Sequence, residues 1–338
     1  MKRLIVAVLV LVVLFGAGLY LLWPREQRGL VLYSAVDYGP AVAAAFTKKT
    51  GIPVTLVDLS TGALLAKVSA EGQRPAWSLV WFDGDLAAAA LDKAGLLAKQ
   101  TTPDLPWNDM GRRLIPADGS YTPTGLTLAG VFSYRKDAIA SPPSHWSDLL
   151  ATSYRGAVGM NNPAISGPMY PLLAGMLHQA GGWPKGQSYV TALGADGLHV
   201  YTKNANTLAA LRQGEIKIAV TQSSAALYVA ASHHAFGVAI PDPAFALPSV
   251  IGLSPNMPSD VLSEAERFVR FAMSPEVQKL RMAKGEEDGI FWPLTTDTKR
   301  PAGLPPLQSL TVTVLDARKW GPREEAVNAW FSKAVMQQ

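Results

Sequence analysis

LVLYSAVDYGPAVAAAFTKKTGIPVTLVDLSTGALLAKVSAEGQRPAWSLVWFDG, residues Leu30 to Gly84, decides the fold. A first apolar run, Leu30-Val31-Leu32-Tyr33, stops at Ser34. A second, Val54 to Leu59, stops at Ser60-Thr61-Gly62. A third, Leu79-Val80-Trp81, stops at Phe82-Asp83-Gly84. Helical segments lie between and after them. Over Pro40 to Lys49, Val42, Ala45 and Phe46 share one face, and Gly51-Ile52-Pro53 breaks the helix. Ala63 to Glu71 and Leu86 to Ala94 are the next two helices. Strands alternating with helices predict an α/β fold with a mainly parallel sheet. In such a sheet ligands sit outside the carboxyl ends of the strands. The three polar strand ends therefore mark a ligand site.

Further along, Thr101 to Asp109 reads as a surface connection and Gly125 to Tyr134 as a strand. From Ala157 the earlier style returns. Ala157 to Met160 ends in Asn161-Asn162-Pro163, and a helix covers Pro168 to Ala180. Leu198 to Tyr201 ends in Thr202-Lys203-Asn204, and Ile216 to Val220 ends in Thr221-Gln222-Ser223. A second set of strands implies two α/β lobes. Val250 to Leu253 is a late strand, and amphipathic helices follow at Leu262 to Met273 and from Ser274-Pro275 onward.

The 338 residues suffice for two domains with sizeable cores. Nearly half are apolar and 17% are charged, the balance of a folded chain. The net charge of +4 is small and its cations are scattered, which gives nucleic-acid binding no support. With no cysteine, disulfides, thiolate metal sites, a cysteine nucleophile and a lipidated cysteine are excluded. None of the five histidines, His145, His178, His199, His233 and His234, stands in a helical metal-ligand spacing. Nucleophile-elbow, phosphate-loop and dinucleotide motifs are missing, so the sequence is expected to be neither an enzyme nor a cofactor protein. An exported hydrolase stays open as an alternative, because triads are recognised by geometry.

Lys2-Arg3 precede an uncharged apolar run, Leu4 to Trp23, with Pro24 to Gly29 as linker. This is an export signal, either cleaved near Gly16-Ala17-Gly18 or kept as a membrane anchor. Residues 30 onward are then expected in the periplasm or on the outer face of the cytoplasmic membrane.

Several motifs in order resemble a known family. Leu32-Tyr33-Ser34, Phe46 to Val54 and Ser60-Thr61-Gly62 look like the start of a type II periplasmic solute-binding protein. The similarity is to the iron(III)/2-aminoethylphosphonate/thiamine-binding group of ABC importers. It continues through Trp81 to Gly84, Ala94 to Leu97, Trp146 to Leu150, Gly156 to Gly167, Gln213 to Ile216 and Ser274 to Gln278. The resemblance implies two lobes joined by a hinge, closing over a small-molecule solute and passing it to a permease and its ATPase. It places lobe 1 at 30–126 and 253–338, lobe 2 at 134–246, and hinge crossovers at 127–133 and 247–252. A monomer is expected. A membrane-tethered sensor or scaffold on the same fold is the alternative to transport.

Candidate ligand residues follow from the strand ends and helix starts. Ser60, Thr61 and Gly62 offer hydroxyls, close backbone approach and the free N–H groups of a helix start, all suited to an anion. Ser166 and Gly167, before Pro168, repeat the device. Asn161 either donates to a ligand or forms an Asx turn. Ser34, Asn204, Thr221, Gln222 and Ser223 are strand-end candidates. Asp37 and Asp83 suit a ligand ammonium or a metal, although Asp37 could cap a helix and Asp83 could serve a turn. Tyr33 and Tyr228 could offer hydroxyls or an aromatic wall. Ferric-binding members of the resembled group use two adjacent tyrosines with a histidine and a glutamate. By spacing, the tyrosine pair falls on Ser224-Ala225, and Asp37 and Asp83 approximate the other two. Loss of both phenolates argues against a metal site, leaving a ferric protein with an atypical site as an alternative. The expected ligand is an anionic or zwitterionic organic solute of phosphonate type.

Overall fold

The computed structural model describes residues 29–337, so the export segment expected ahead of Gly29 lies outside them. The chain begins β1 (Leu30–Ser34), α1 (Gly39–Thr50), β2 (Val54–Asp58), α2 (Thr61–Glu71), β3 (Leu79–Asp83), α3 (Asp85–Lys93), α4 (Asp109–Leu114) and β4 (Tyr121–Leu128). It continues β5 (Val131–Arg135), β6 (Val158–Asn161), α5 (Met169–Gln179), α6 (Gln187–Ala195), β7 (His199–Tyr201), α7 (Asn204–Gln213), β8 (Ile218–Thr221), α8 (Ser223–Ser232) and β9 (Phe236–Ala239). It ends β10 (Ala244–Leu253), α9 (Ser259–Ala272), α10 (Pro275–Lys284), β11 (Val312–Thr313), α11 (Ala317–Trp320) and α12 (Glu324–Phe331).

The strands form two sheets. The first runs β11-β10-β3-β1-β2, with β4 also pairing β10; the second runs β7-β6-β8-β5-β9. β1, β2 and β3 are mutually parallel, as are β6, β7 and β8. Helices cover both faces of the first sheet because side chains alternate along a strand. Leu30 and Leu32 of β1 face α1 and α9, where Phe46 and Phe268 lie edge to face. Tyr33 faces the other side, with Leu64 and Val68 of α2 and Leu91 of α3.

The first passage between sheets is the turn Ala129-Gly130, so the strand expected over Gly125 to Tyr134 is two strands in different sheets. Gly130 allows this turn to press on the second lobe, since a Cβ there would lie 2.7 Å from Leu172 Cδ1. The return passage runs between β9 and β10, over residues 240–243. The expected crossover at 247–252 is corrected accordingly: those residues lie inside β10, hydrogen-bonded to β3 and β4 of the first sheet. Thr101 to Asp109 is not a wholly exposed connection either. Thr101, Pro103 and Trp107 are buried, and the indole of Trp107 donates to the Pro103 carbonyl at 3.2 Å.

The C-terminal segment departs from the expected assignment of 253–338 to lobe 1. α9 and α10 do pack on the first sheet. Beyond them, Trp320 of α11, Val327 and Phe331 of α12 and Val335 join one apolar core with Leu172, Leu173 and Leu177 of α5 and Val190 and Leu193 of α6. The same core includes Leu86 of α3 in the first lobe. The last helices therefore bridge the lobes.

Candidate functional site

The carboxyl ends of the parallel strands of both sheets open onto one cleft between the lobes, enclosing about 530 Å³. That volume is in the range of small-molecule sites. From the first lobe come Asp37, Ser60, Thr61 and Asp83; from the second, Ser166, Gly167, Asn204, Gln222 and Tyr228. These nine were all picked out by strand ends, helix starts or ring character. The remaining candidates sit elsewhere. Tyr33 is buried with its hydroxyl on Glu71 Oε1 at 2.8 Å and Lys67 over its ring. Ser34 is buried under Gly39, whose missing side chain leaves room for the Ser34 hydroxyl. Thr221 is buried. Ser223 Oγ accepts the Leu128 N–H at 2.9 Å, tying α8 to the end of β4.

Gly62 meets the other lobe rather than the cleft: a Cβ would lie 3.1 Å from the Ala164 carbonyl. Gly167 has the same role opposite, with a Cβ placed 2.8 Å from Thr61 Cβ. The two helix-start corners thus touch directly. The Gln222 amide also crosses between lobes, donating to Asp83 Oδ2 at 2.9 Å and to Thr127 Oγ1 at 3.2 Å.

Local roles differ in detail from the sequence reading. Ser60 caps α2, its Oγ accepting from Ala63 N–H at 3.4 Å. Pro168 occupies the cap position of α5, so Ser166 is not the cap. Instead Ser166 Oγ accepts from Asn161 Nδ2 at 3.2 Å. Asn161 is fully buried; it also donates to Asn204 Oδ1 at 2.6 Å and accepts from the Thr207 hydroxyl. It orients two cleft residues without lining the cleft. Asp37 caps no helix: Tyr38 is the cap residue of α1. Gly84 is the cap residue ahead of α3 at φ 114°, a conformation that glycine supports, and Asp83 is the last residue of β3.

Three acids went unnoticed in the sequence. Glu286, Glu287 and Asp288 form a short 3-10 turn after α10 and line the first-lobe wall. Asp288 Oδ2 accepts the Asp37 N–H at 2.9 Å. The available signal was a run of three acids between Gly285 and Gly289, a pattern that ordinarily marks a solvated surface. Lys203, also missed, sits on the opposite wall at the start of α7.

The walls therefore differ in charge. Burial raises the Asp83 carboxyl above its ordinary value, and Ser249, the Gln222 amide and the charge of Arg281 pull it only part of the way back. Burial, then the charges of Asp83 and Asp37, hold Asp288 well above the carboxylate range. Partial desolvation, then Glu287, Glu286, Asp83 and Asp58, push Asp37 up to about 6. Carboxylates crowded together, with only the buried Arg281 behind them, are receptive to an ammonium. The facing wall brings Lys203 and the starts of α5, α7 and α8, and α2 adds its own start from the first lobe. Helix starts favour anions. Among the described residues, no three His, Cys, Asp or Glu side chains are grouped to hold a metal ion.

Two α/β lobes with strand ends facing a shared, polar inter-lobe cleft define a solute-binding protein of the two-lobed class. Residues 41–304 match the bacterial extracellular solute-binding protein family, and the chain belongs to it. Proteins of this family deliver small solutes to ABC transporter permeases and their ATPases, and the family places the chain in the periplasm. A Salmonella typhimurium periplasmic protein provisionally named for binding 2-aminoethylphosphonate is 25% identical over 243 residues, 69% of this chain and 68% of that protein. The fructose-6-phosphate-bound binding protein AfuA of Actinobacillus pleuropneumoniae superposes with a TM-score of 0.78 at 18% identity, over 92% of this chain and 99% of that one. Iron-bound HitA of Pseudomonas aeruginosa gives 0.75 at 21% identity, over 89% and 98%. Among the described residues no helix is long and apolar enough to cross a membrane.

Proposed function

We propose that this protein captures a small zwitterionic solute, an amine joined to a phosphonate or similar oxyanion, for an ABC importer. The observation that carries the reading is the opposed character of the cleft walls. Asp37, Asp83 and Asp288 gather on the first lobe, while Lys203 and three helix starts face them. An ammonium on the acidic wall and an oxyanion on the other would place each charge where partners already point. The relative named for 2-aminoethylphosphonate supports the same chemistry. The acids missed in the sequence shift the weight towards the cationic end, so an anion with no amine suits the site poorly.

Capture needs no covalent step. The two lobes close about the paired passages at 129–130 and 240–243, and a ligand touching both walls stabilises the closed form. The protein acts as a monomer, exported by its N-terminal segment and tethered if residues 4–23 are retained. Calorimetry and thermal unfolding with three probes test the reading. 2-Aminoethylphosphonate is expected to stabilise the protein, by about 2.7 kcal/mol at a hundredfold excess over its Kd. Ethylphosphonate and ethanolamine, each lacking one charge, are expected to bind far more weakly. Equal binding of ethylphosphonate and 2-aminoethylphosphonate, or no binding of any probe, would overturn it.

A further inference from the structure

Arg281 of α10 is fully buried among the rings of Tyr38, Trp81 and Phe291, with its guanidinium carbon 4.5, 5.1 and 4.5 Å from their centres. None of the ion pairs among the described residues includes it. A permanent cation kept from water without an adjacent carboxylate is costly unless its charge is answered nearby. Its hydrogen bonds show where the answer lies. Nη1 donates to the Thr124 carbonyl at 2.7 Å and Nη2 to Tyr38 Oη at 3.2 Å. The Tyr38 hydroxyl lies 2.9 Å from Ser249 Oγ, and having accepted from Arg281 it has its own proton free for that serine. Ser249 stands opposite Asp83 in the β10–β3 ladder, and its side chain is among the groups that pull the Asp83 carboxyl down.

The guanidinium can only donate and an ionised carboxylate can only accept, so the two hydroxyls between them can align in one direction, from Arg281 towards Asp83. Burial pushes Tyr38 up to about 12, so its hydroxyl keeps the proton the chain requires. Hydrogen bonds aligned in series reinforce one another, and here all of them favour the ionised carboxylate at the end. Two further acids interact with Asp83, and like charge there works against ionisation: Asp37 ahead of α1 and Asp288 after α10, each pushed up in part by Asp83. The Gln222 amide supplies hydrogen bonding and no charge.

We propose that Arg281 is a positioning residue for solute capture: through Tyr38 and Ser249 it favours the ionised form of Asp83 against burial, and so makes the first-lobe wall more receptive to a cation. Its part in capture rests on the amine-binding reading above; its hold on Asp83 does not. The experiment therefore has two arms. In the ligand-free protein, carbon-13 NMR of labelled aspartate follows the Asp83 carboxyl, assigned with Asp83→Asn. Arg281→Gln is expected to raise its titration midpoint by about one pH unit, and Arg281→Lys to restore most of the wild-type value. Tyr38→Phe and Ser249→Ala, which leave the cation and cut the chain, are expected to raise it as well. If Arg281→Gln does not fold, those two variants decide. An Asp83 midpoint unmoved in every folded variant overturns the proposal.

The second arm measures 2-aminoethylphosphonate affinity against pH. Arg281→Gln is expected to weaken binding about tenfold near the Asp83 midpoint and to leave it unchanged well above. A uniform loss at every pH would mark Arg281 as a packing residue only and overturn its role in capture. Should 2-aminoethylphosphonate fail to bind even the wild type, the ligand reading falls, while the NMR arm still decides the link from Arg281 to Asp83.

Discussion

Asp37 has the plainest pH signature of the site residues. Its folded-state value of about 6 lies above the ordinary 3.8. A carboxyl raised in this way binds more protons folded than unfolded, so its contribution to stability is present below pH 4 and lost as pH rises through 6. Asp37→Asn is therefore expected to melt higher than the wild type at pH 7, with the difference vanishing below pH 4, as read by thermal unfolding across that range. The same variant is expected to bind an amine-bearing solute about tenfold less tightly. A melting difference independent of pH would refute the assignment. Asp118 does not confuse the window: Lys99 and Ser120 prevail over its partial burial and hold it near 2, so its contribution is lost only below pH 4. Strand-end polarity made Asp83 and Ser60 legible in the sequence. It placed Ser34 at the cleft although that hydroxyl is buried under Gly39, and ring character did the same for Tyr33, because which way a side chain points depends on what covers each face of the sheet. Glu286 to Asp288 follow a helix, so reading strand ends could not reach them.

At the scale of elements, the starts of α2 and α5 meet through Gly62 and Gly167. The motif at each start is visible in the sequence; their mutual contact is tertiary and is not. Gly167→Ala would press a methyl into Thr61, whose Cβ cannot rotate away. The expected result is a population shifted towards the open form and solute binding about tenfold weaker, with stability little changed. Calorimetry would show the loss, and small-angle scattering a larger radius of gyration without ligand. Wild-type affinity in this variant would remove the corners from the closing surface. β10 shows why the second passage was misread. Pro248 lies mid-strand beside a register shift at Ser249/Val250, with Pro123 of β4 facing that shift. Prolines normally interrupt strands, so only the segment after Pro248 reads as one. The bulge absorbs both prolines and lets β10 run back to Ala244.

For the whole molecule, two lobes on one alternating pattern were legible because each repeats strand, polar end and helix. The bridging of those lobes by the last helices was not, because α11 and α12 are short and nothing local says which core they enter. Phe331 is fully buried in that shared core. Phe331→Ala is expected to cost about 3–5 kcal/mol in chemical denaturation, and to unfold the second lobe with it. A loss below 1 kcal/mol would mean that the C-terminal segment merely lies on the surface. The bridge also sets an order of events during synthesis. A chain is made from its amino end, and the first sheet receives β10 late, after the second sheet's strands are all complete. The second lobe waits later still, since Trp320, Val327, Phe331 and Val335 belong to its core. Until these residues emerge, the core around Leu173, Leu177 and Val190 lacks them. A chain interrupted after β11 would thus carry the strands of both cleft walls and an apolar seam without Trp320, Val327, Phe331 and Val335.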